Sequence, residues 1–153
     1  MKDLPRILAA DADLDAGLEQ ELASTGHSHQ VEARQILDRQ AYFSLCWGPL
    51  EVELDGRCRN AVRERRRSAD WQIRRARDLC NPEDERFSGL SFEDRVRLVL
   101  DGQGGRGSPF AVTLKHDSIR HEIAHGRLRS TRIDVSAFVA DCYLTQSALY
   151  RAP

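Results

Sequence analysis

At 153 residues the chain is long enough for one domain with a real core, so neither disulfides nor a structural metal is needed to hold it together. Its composition, 41% apolar and 31% charged with a formal net charge of −1, is that of an ordinary globular protein. With no signal-like start and no apolar run near about 18 residues, the expectation is a cytoplasmic protein that meets no membrane.

Apolar residues recur at helical period along almost the whole chain, and the few alternating stretches are too short to support a sheet. The first helix is expected from about Arg6 to Ala23, ending near Ser24, Thr25 and Gly26. Residues 1–25 also hold six acids (Asp3, Asp11, Asp13, Asp15, Glu19, Glu21) against Lys2 and Arg6. After a turn in which His27 and His29 flank Ser28, a second helix runs from about His29 to Trp47 with Ile36, Gln40, Phe43 and Trp47 on one side. Gly48-Pro49 is expected to break or kink it, because proline starts a helix readily and disrupts an interior.

A third helix from Pro49 places Leu50, Leu54, Cys58 and Val62 at intervals of four as a buried stripe. Ala69, Ile73, Ala76 and Cys80 extend that line, as one long helix or two bent near Ser68, until Asn81-Pro82. Within residues 57–77 nine arginines face only Glu64 and Asp70, a surplus of seven positive charges hidden in a near-neutral total. Arg63, Arg66, Arg67, Arg74 and Arg77 fall largely off the buried stripe and, with Arg127, form a candidate RNA-binding set. A ribose-phosphate backbone favours clustered cations, and such binding weakens as salt rises. The bland alternative is a solvated face compensated by the acidic first helix or by a partner protein. Trp71, among these arginines, either stacks on a base or packs in the core.

Ser91 followed by Asp94 resembles a capping box, opening a short helix through Val96, Val99 and Leu100. The glycine-rich stretch 102–109 lacks the lysine of a phosphate-binding loop and reads as a flexible connection. Helix resumes around Phe110, carries Val112, Ile119 and Ile123, and meets a stop at Gly126. Thr131 or Asp134 caps a last helix whose inward stripe is expected to be Ile133, Ala137, Ala140, Leu144 and Ala148. The four cysteines, Cys46, Cys58, Cys80 and Cys142, include no C-x-x-C pair, so neither a zinc knuckle nor a redox motif is indicated and the thiols read as reduced core residues. The fold expected is all-α: an antiparallel, up-and-down bundle of four to five main helices forming one domain over residues 1–153.

Arg120-His121-Glu122-Ile123-Ala124-His125, followed at once by Gly126, fits two unrelated patterns. His121-Glu122-x-x-His125 has the metalloprotease spacing, in which two imidazoles four residues apart share a helix face and grip one zinc while the glutamate acts as base. Such a zinc needs a third protein ligand from downstream and a fourth position left to water. After His125 the chain has no His and no Glu, and its only acids are Asp134 and Asp141, each assigned to the last helix. The zinc hydrolase is therefore the weakest reading.

The segment Ile119-Arg120-His121-Glu122-Ile123-Ala124-His125-Gly126 resembles the motif of the HEPN family of ribonucleases, in which arginine, a polar residue, three further positions and histidine close a helix, often as Ile-Ala-His-Gly. The resemblance is sharp over these eight residues; elsewhere it rests on the helical frame, with the motif late and one long helix after it. His121 stands where the family most often has Asn. Arg127 stands where toxins paired with small nucleotidyltransferases commonly carry Tyr, which argues against that partnership. The resemblance implies a metal-independent endoribonuclease with no cofactor, working as a homodimer on RNA in a toxin, phage-defence or stress system, alongside an antitoxin or other partner protein.

It also implies the site. At about 100° per residue, positions five apart on a helix diverge by about 140°, so Arg120 and His125 converge only if the helix frays at Gly126 or a second subunit completes the cleft. His125 would act as general base or acid on the ribose 2′-hydroxyl or the leaving oxygen. Arg120 would hold the scissile phosphate, and His121 and Glu122 would orient these groups or pair across the dimer. His116 lies one turn before Arg120, within reach of such a cleft. The alternative from a different class is a helical module that binds RNA or a partner protein without turnover.

Overall fold

The computed structural model describes residues 3–25, 28–64, 90–100, 104–127 and 133–151. Among the described residues there are five helices and no strand, so the chain is an all-α helical bundle. They are α1 (Leu4–Thr25), α2 (Ser28–Glu64), α3 (Phe92–Val99), α4 (Pro109–Ala124) and α5 (Val135–Arg151). None of them is long and apolar enough to cross a membrane. Two compact units divide the chain: Met1–Leu50 with Ser118–Tyr143, and Glu51–Asp117 with Leu144–Pro153.

The sequence pattern predicts a break or kink in α2 at Gly48-Pro49, and the break is corrected: one helix of 37 residues runs through Pro49. An interior proline costs a helix about 3 kcal/mol. Here Phe43, Cys46 and Trp47 before it and Leu50 and Leu54 after it are all buried, and each large apolar side chain so buried contributes about 1.5–3 kcal/mol. Packing on both sides outweighs the local defect. The carbonyl that loses its donor belongs to Leu45, whose side chain is exposed, so water can serve it. Gln40, Phe43 and Trp47 face inward as expected, joined by Gln35 rather than Ile36. The extension of this line through Ala69, Ile73, Ala76 and Cys80 lies outside the described residues.

The first unit is built around Phe43, whose ring lies 4.2 Å from that of Phe138 on α5 and 6.3 Å from that of Trp47. Cys46 and Cys142 are buried in the same unit. Burial pushes the Cys46 thiol up to about 11 and the Cys142 thiol up to about 12, so both stay protonated and inert at neutral pH. In the second unit, Leu54, Cys58 and Val62 of α2 are buried, as are Val96, Val99, Leu100, Phe110 and Leu149. A hydrogen bond between the Thr113 and Thr145 hydroxyls, 3.2 Å long, satisfies two buried oxygens there.

Caps fix the shorter helices. Ser91 accepts from the Asp94 N–H at 3.1 Å and donates its hydroxyl to the Asp94 carboxylate at 2.8 Å, so Ser91 caps α3 as predicted, while Asp94 meets the Ser91 hydroxyl rather than the Ser91 backbone N–H that would close a capping box. Pro109 occupies the first turn of α4, with the Ala111 N–H donating to Ser108 Oγ at 3.3 Å. Gly104 approaches that cap so closely that a β-carbon on it would lie 2.2 Å from Ser108 Cβ, and glycine is required. Asp134 caps α5, accepting from the Ala137 N–H at 2.9 Å; Thr131, the other candidate, lies outside the described residues.

The inward stripe expected for α5 is also corrected. Ala137, Ala140 and Leu144 are exposed and Ile133 and Ala148 half-buried, while Val135, Phe138, Val139, Cys142, Thr145 and Leu149 are buried. Both sets repeat at helical spacing, and the set with the larger side chains removes more apolar area from water.

Candidate functional site

α4 carries the motif outward at its C-terminal end. Phe110, Val112, Thr113 and His116 bury its first half, whereas from Ser118 onward its side chains are half-buried or exposed. His116, considered as a further site residue, is only 5% exposed and belongs to the core rather than to an open cleft.

The helix stops at the predicted glycine. Gly126 has φ +67°, a backbone conformation that costs a side-chain-bearing residue about 1–2 kcal/mol. The Arg127 N–H donates to the Glu122 carbonyl at 2.9 Å and the Gly126 N–H to the Ile123 carbonyl at 3.0 Å. This pair of bonds is a Schellman ending, which satisfies carbonyls that the last turn would otherwise leave open. The His125 N–H still reaches the His121 carbonyl at 3.1 Å, so the backbone stays helical up to His125 and fraying does not draw it toward Arg120.

His121 lies between the two. Arg120 Nη2 is 3.2 Å from His121 Nδ1, and the rings of His121 and His125 stand 5.4 Å apart at 49°. A guanidinium only donates, so Nδ1 is the acceptor in this contact. Arg120 and Glu122 are half-buried; His121, His125 and Arg127 are exposed. One end of one helix thus offers a hydrogen-bond donor of fixed positive charge, two imidazoles and a carboxylate. Two imidazoles so placed could begin a zinc site, but among the described residues no group of three or more His, Cys, Asp or Glu is arranged to hold an ion.

Of the arginines assigned to RNA, Arg63 is exposed in the last turn of α2. Arg66, Arg67, Arg74 and Arg77 lie outside the described residues, as does Trp71. No family model matches the chain, and neither a curated protein nor a solved structure matches it.

A second polar feature is one that the motifs do not announce. Along α1, Leu4, Leu8, Asp11, Asp15, Leu18 and Leu22 follow one another at spacings of four and three, the pattern of an inward line, so two carboxylates stand on its core side. Asp15 accepts from Gln35 Nε2 at 3.0 Å and from Arg39 Nη2 at 2.7 Å, and Gln35 is only 2% exposed. Asp11, Asp15, Glu19, Arg39 and Asp134 line an open groove of about 350 Å³. Burial raises the Asp11 carboxyl above its ordinary value, Arg39 lowers it, and Asp15, Asp134 and Asp38 raise it further. Four carboxylates against one guanidinium repel a polyanion, so this groove does not suit RNA. The 4-3-4-3-4 spacing was the signal that could have revealed it.

Proposed function

We propose that this chain is a metal-independent endoribonuclease of the HEPN type, acting through Arg120 and His125 at a cleft completed by a second copy. The observation that carries the reading is the capped end of α4, where His121 touches Arg120 on one side and neighbours the exposed His125 on the other. His125 takes the proton from a ribose 2′-hydroxyl, whose oxygen attacks the adjacent phosphorus. The P–O5′ bond breaks, the leaving oxygen takes a proton from an acid, and a 2′,3′-cyclic phosphate remains. Arg120 binds the phosphate and stabilises the charge that develops on its oxygens, while His121, accepting from Arg120, holds the guanidinium in place. Because residues five apart diverge on a helix, Arg120 of one copy works with His125 of the other.

The test is cleavage of single-stranded RNA in excess chelator, with product ends identified as cyclic phosphate. Arg120→Ala and His125→Ala are each expected to cut turnover by about 100-fold or more. Cleavage at the wild-type rate by either variant would overturn the assignment, as would loss of activity on adding the chelator.

A further inference from the structure

α2 changes sign along its course through the second unit. Glu51, Glu53 and Asp55 come first, and Arg57, Arg59 and Arg63 follow. The acids are occupied locally: Arg95 donates to Asp55 at 2.5 Å, and the Gln146 amide donates to Glu53 at 3.1 Å. Past them, the Arg57 guanidinium carbon stands 4.4 Å from the centre of the Tyr150 ring on α5. That ring remains 64% exposed. Asn60, one turn beyond Arg57, is exposed, and so are Arg63 and Arg151, the residue after the tyrosine.

The attraction of helix C-termini for cations accounts for Arg63 and Arg151, which lie in last turns. It does not account for an aromatic ring kept largely in water with a guanidinium over one face. A cation seated near the ring centre covers that face, so the exposure belongs to the opposite face and the edges. An open aromatic face on helices that also expose Arg63 and Arg151 has the two parts from which single-stranded nucleic acids are held: a base stacks on the ring, and phosphates meet arginines. Arg57 holds the ring from its covered face through a cation–π contact.

We propose that Tyr150, backed by Arg57, is a stacking site for one base of a single-stranded nucleic acid, with Arg63 and Arg151 contacting the flanking phosphates. RNA as the natural ligand rests on the function proposed above; the stacking chemistry is common to RNA and DNA.

The experiment measures binding of fluorescein-labelled oligo(U) RNA and oligo(dT) DNA across a salt series, for the full chain and for Tyr150→Ala, Tyr150→Phe, Tyr150→Trp, Arg57→Ala and the double variant Arg63→Ala with Arg151→Ala. Circular dichroism melts identify any variant that fails to fold. Tyr150→Ala is expected to weaken binding about tenfold with the salt slope unchanged, Tyr150→Phe and Tyr150→Trp to keep it within about twofold, and Arg57→Ala to fall between. The double variant is expected to lower the slope of log affinity against log salt by about 1.4, since each phosphate of a single strand that is no longer neutralised removes about 0.7. The tryptophan in Tyr150→Trp is expected to lose fluorescence when either polymer binds. Tighter binding of the RNA arm supports RNA as the ligand; equal affinities support the stacking site without that preference.

A folded Tyr150→Ala chain that binds like wild type overturns the proposal, as does equal loss in Tyr150→Phe, which would mean the hydroxyl matters and the ring does not. A wild-type chain that binds neither polymer also overturns it and leaves this face to a protein partner. The two proposals fail separately. Cleavage that depends on Arg120 but not on Tyr150 removes the stacking site alone. Binding that depends on Tyr150, with no cleavage or with cleavage indifferent to Arg120 and His125, removes the nuclease alone.

Discussion

The acidic groove along α1 and the motif at the end of α4 belong to the same unit, yet the first joins side chains of different helices and the second stands on one helix whose end is set by backbone bonds. Asp15 accepts from both Gln35 and Arg39 between helices, so that network fixes how α1 meets α2. Arg120, His121 and His125 stand at the end of one helix, which the Schellman bonds and the φ of Gly126 terminate. Concavity and polar content, which ordinarily mark a site, favour the groove. Its charge disfavours a polyanion, and the motif offers the cation and the imidazoles that phosphodiester chemistry uses.

The largest effect that could break this comparison is catalytic. His125→Ala is expected to reduce RNA cleavage by about 10²–10⁴-fold while its melting temperature stays within about 2 °C of wild type, because an exposed side chain outside core packing contributes little stability. Asp15→Ala should do the opposite, leaving cleavage by the folded chain intact but costing about 1–3 kcal/mol in urea unfolding, since Arg39 loses its partner in a site where both side chains are mostly covered, at 17% and 27% exposure. If Asp15→Ala abolished cleavage and His125→Ala left it untouched, the roles assigned to the two features would be exchanged.

What could be read in advance follows the same division. Elements whose signal is local were legible: the Ser91–Asp94 cap, the stop at Gly126, and the stripe of Leu54, Cys58 and Val62. Each depends on residues within a turn or two of one another. Where two answers competed, tertiary packing decided. Pro49 carries a local penalty that burial on both sides of it overcomes, and α5 presents two apolar stripes of which the larger side chains won the core. Asp15 and Gln35 are 20 residues apart, and nothing in either neighbourhood announces the other. The chemistry-bearing residues of the motif were visible as a pattern, but not the contact that puts His121 between Arg120 and His125. Tyr150 carries no local signal because its partner, Arg57, is on another helix.

Smaller changes sharpen the contrast by testing helix ends. Gly126→Ala forces an L side chain into positive φ, and about 1 kcal/mol of stability should be lost. Because the Schellman bonds hold the motif, cleavage should fall as well, and a glycine-specific loss of turnover larger than the loss of stability would show that helix termination positions His125. Asp134→Ala removes the cap of α5 and should cost about 0.5–2 kcal/mol without touching cleavage. Hydrogen bonds from the Ala137 backbone and the Ser136 hydroxyl hold the Asp134 carboxyl below its ordinary value, against a small opposing effect of burial. Its contribution is therefore full above the unfolded pKa of about 3.9 and is lost as pH falls through the depressed folded value. The difference between wild type and Asp134→Ala should close in acid, as followed by urea unfolding at several pH values.

Asp11 is expected to give the smallest effect, with the opposite sign. Burial and neighbouring carboxylates raise its pKa despite Arg39, so the folded chain binds that proton more tightly than the unfolded chain does, and ionising Asp11 works against folding. Asp11→Asn keeps the shape and removes the charge. At neutral pH it should stabilise the chain by no more than about 0.5 kcal/mol, a melting shift of about 1–2 °C for a chain of this size. The gain should shrink as pH falls through the raised pKa, where wild-type Asp11 becomes neutral as well. A stability loss for Asp11→Asn at pH 7 would mean that attraction to Arg39 outweighs the cost of burial, and that the groove is held by its charges rather than strained by them.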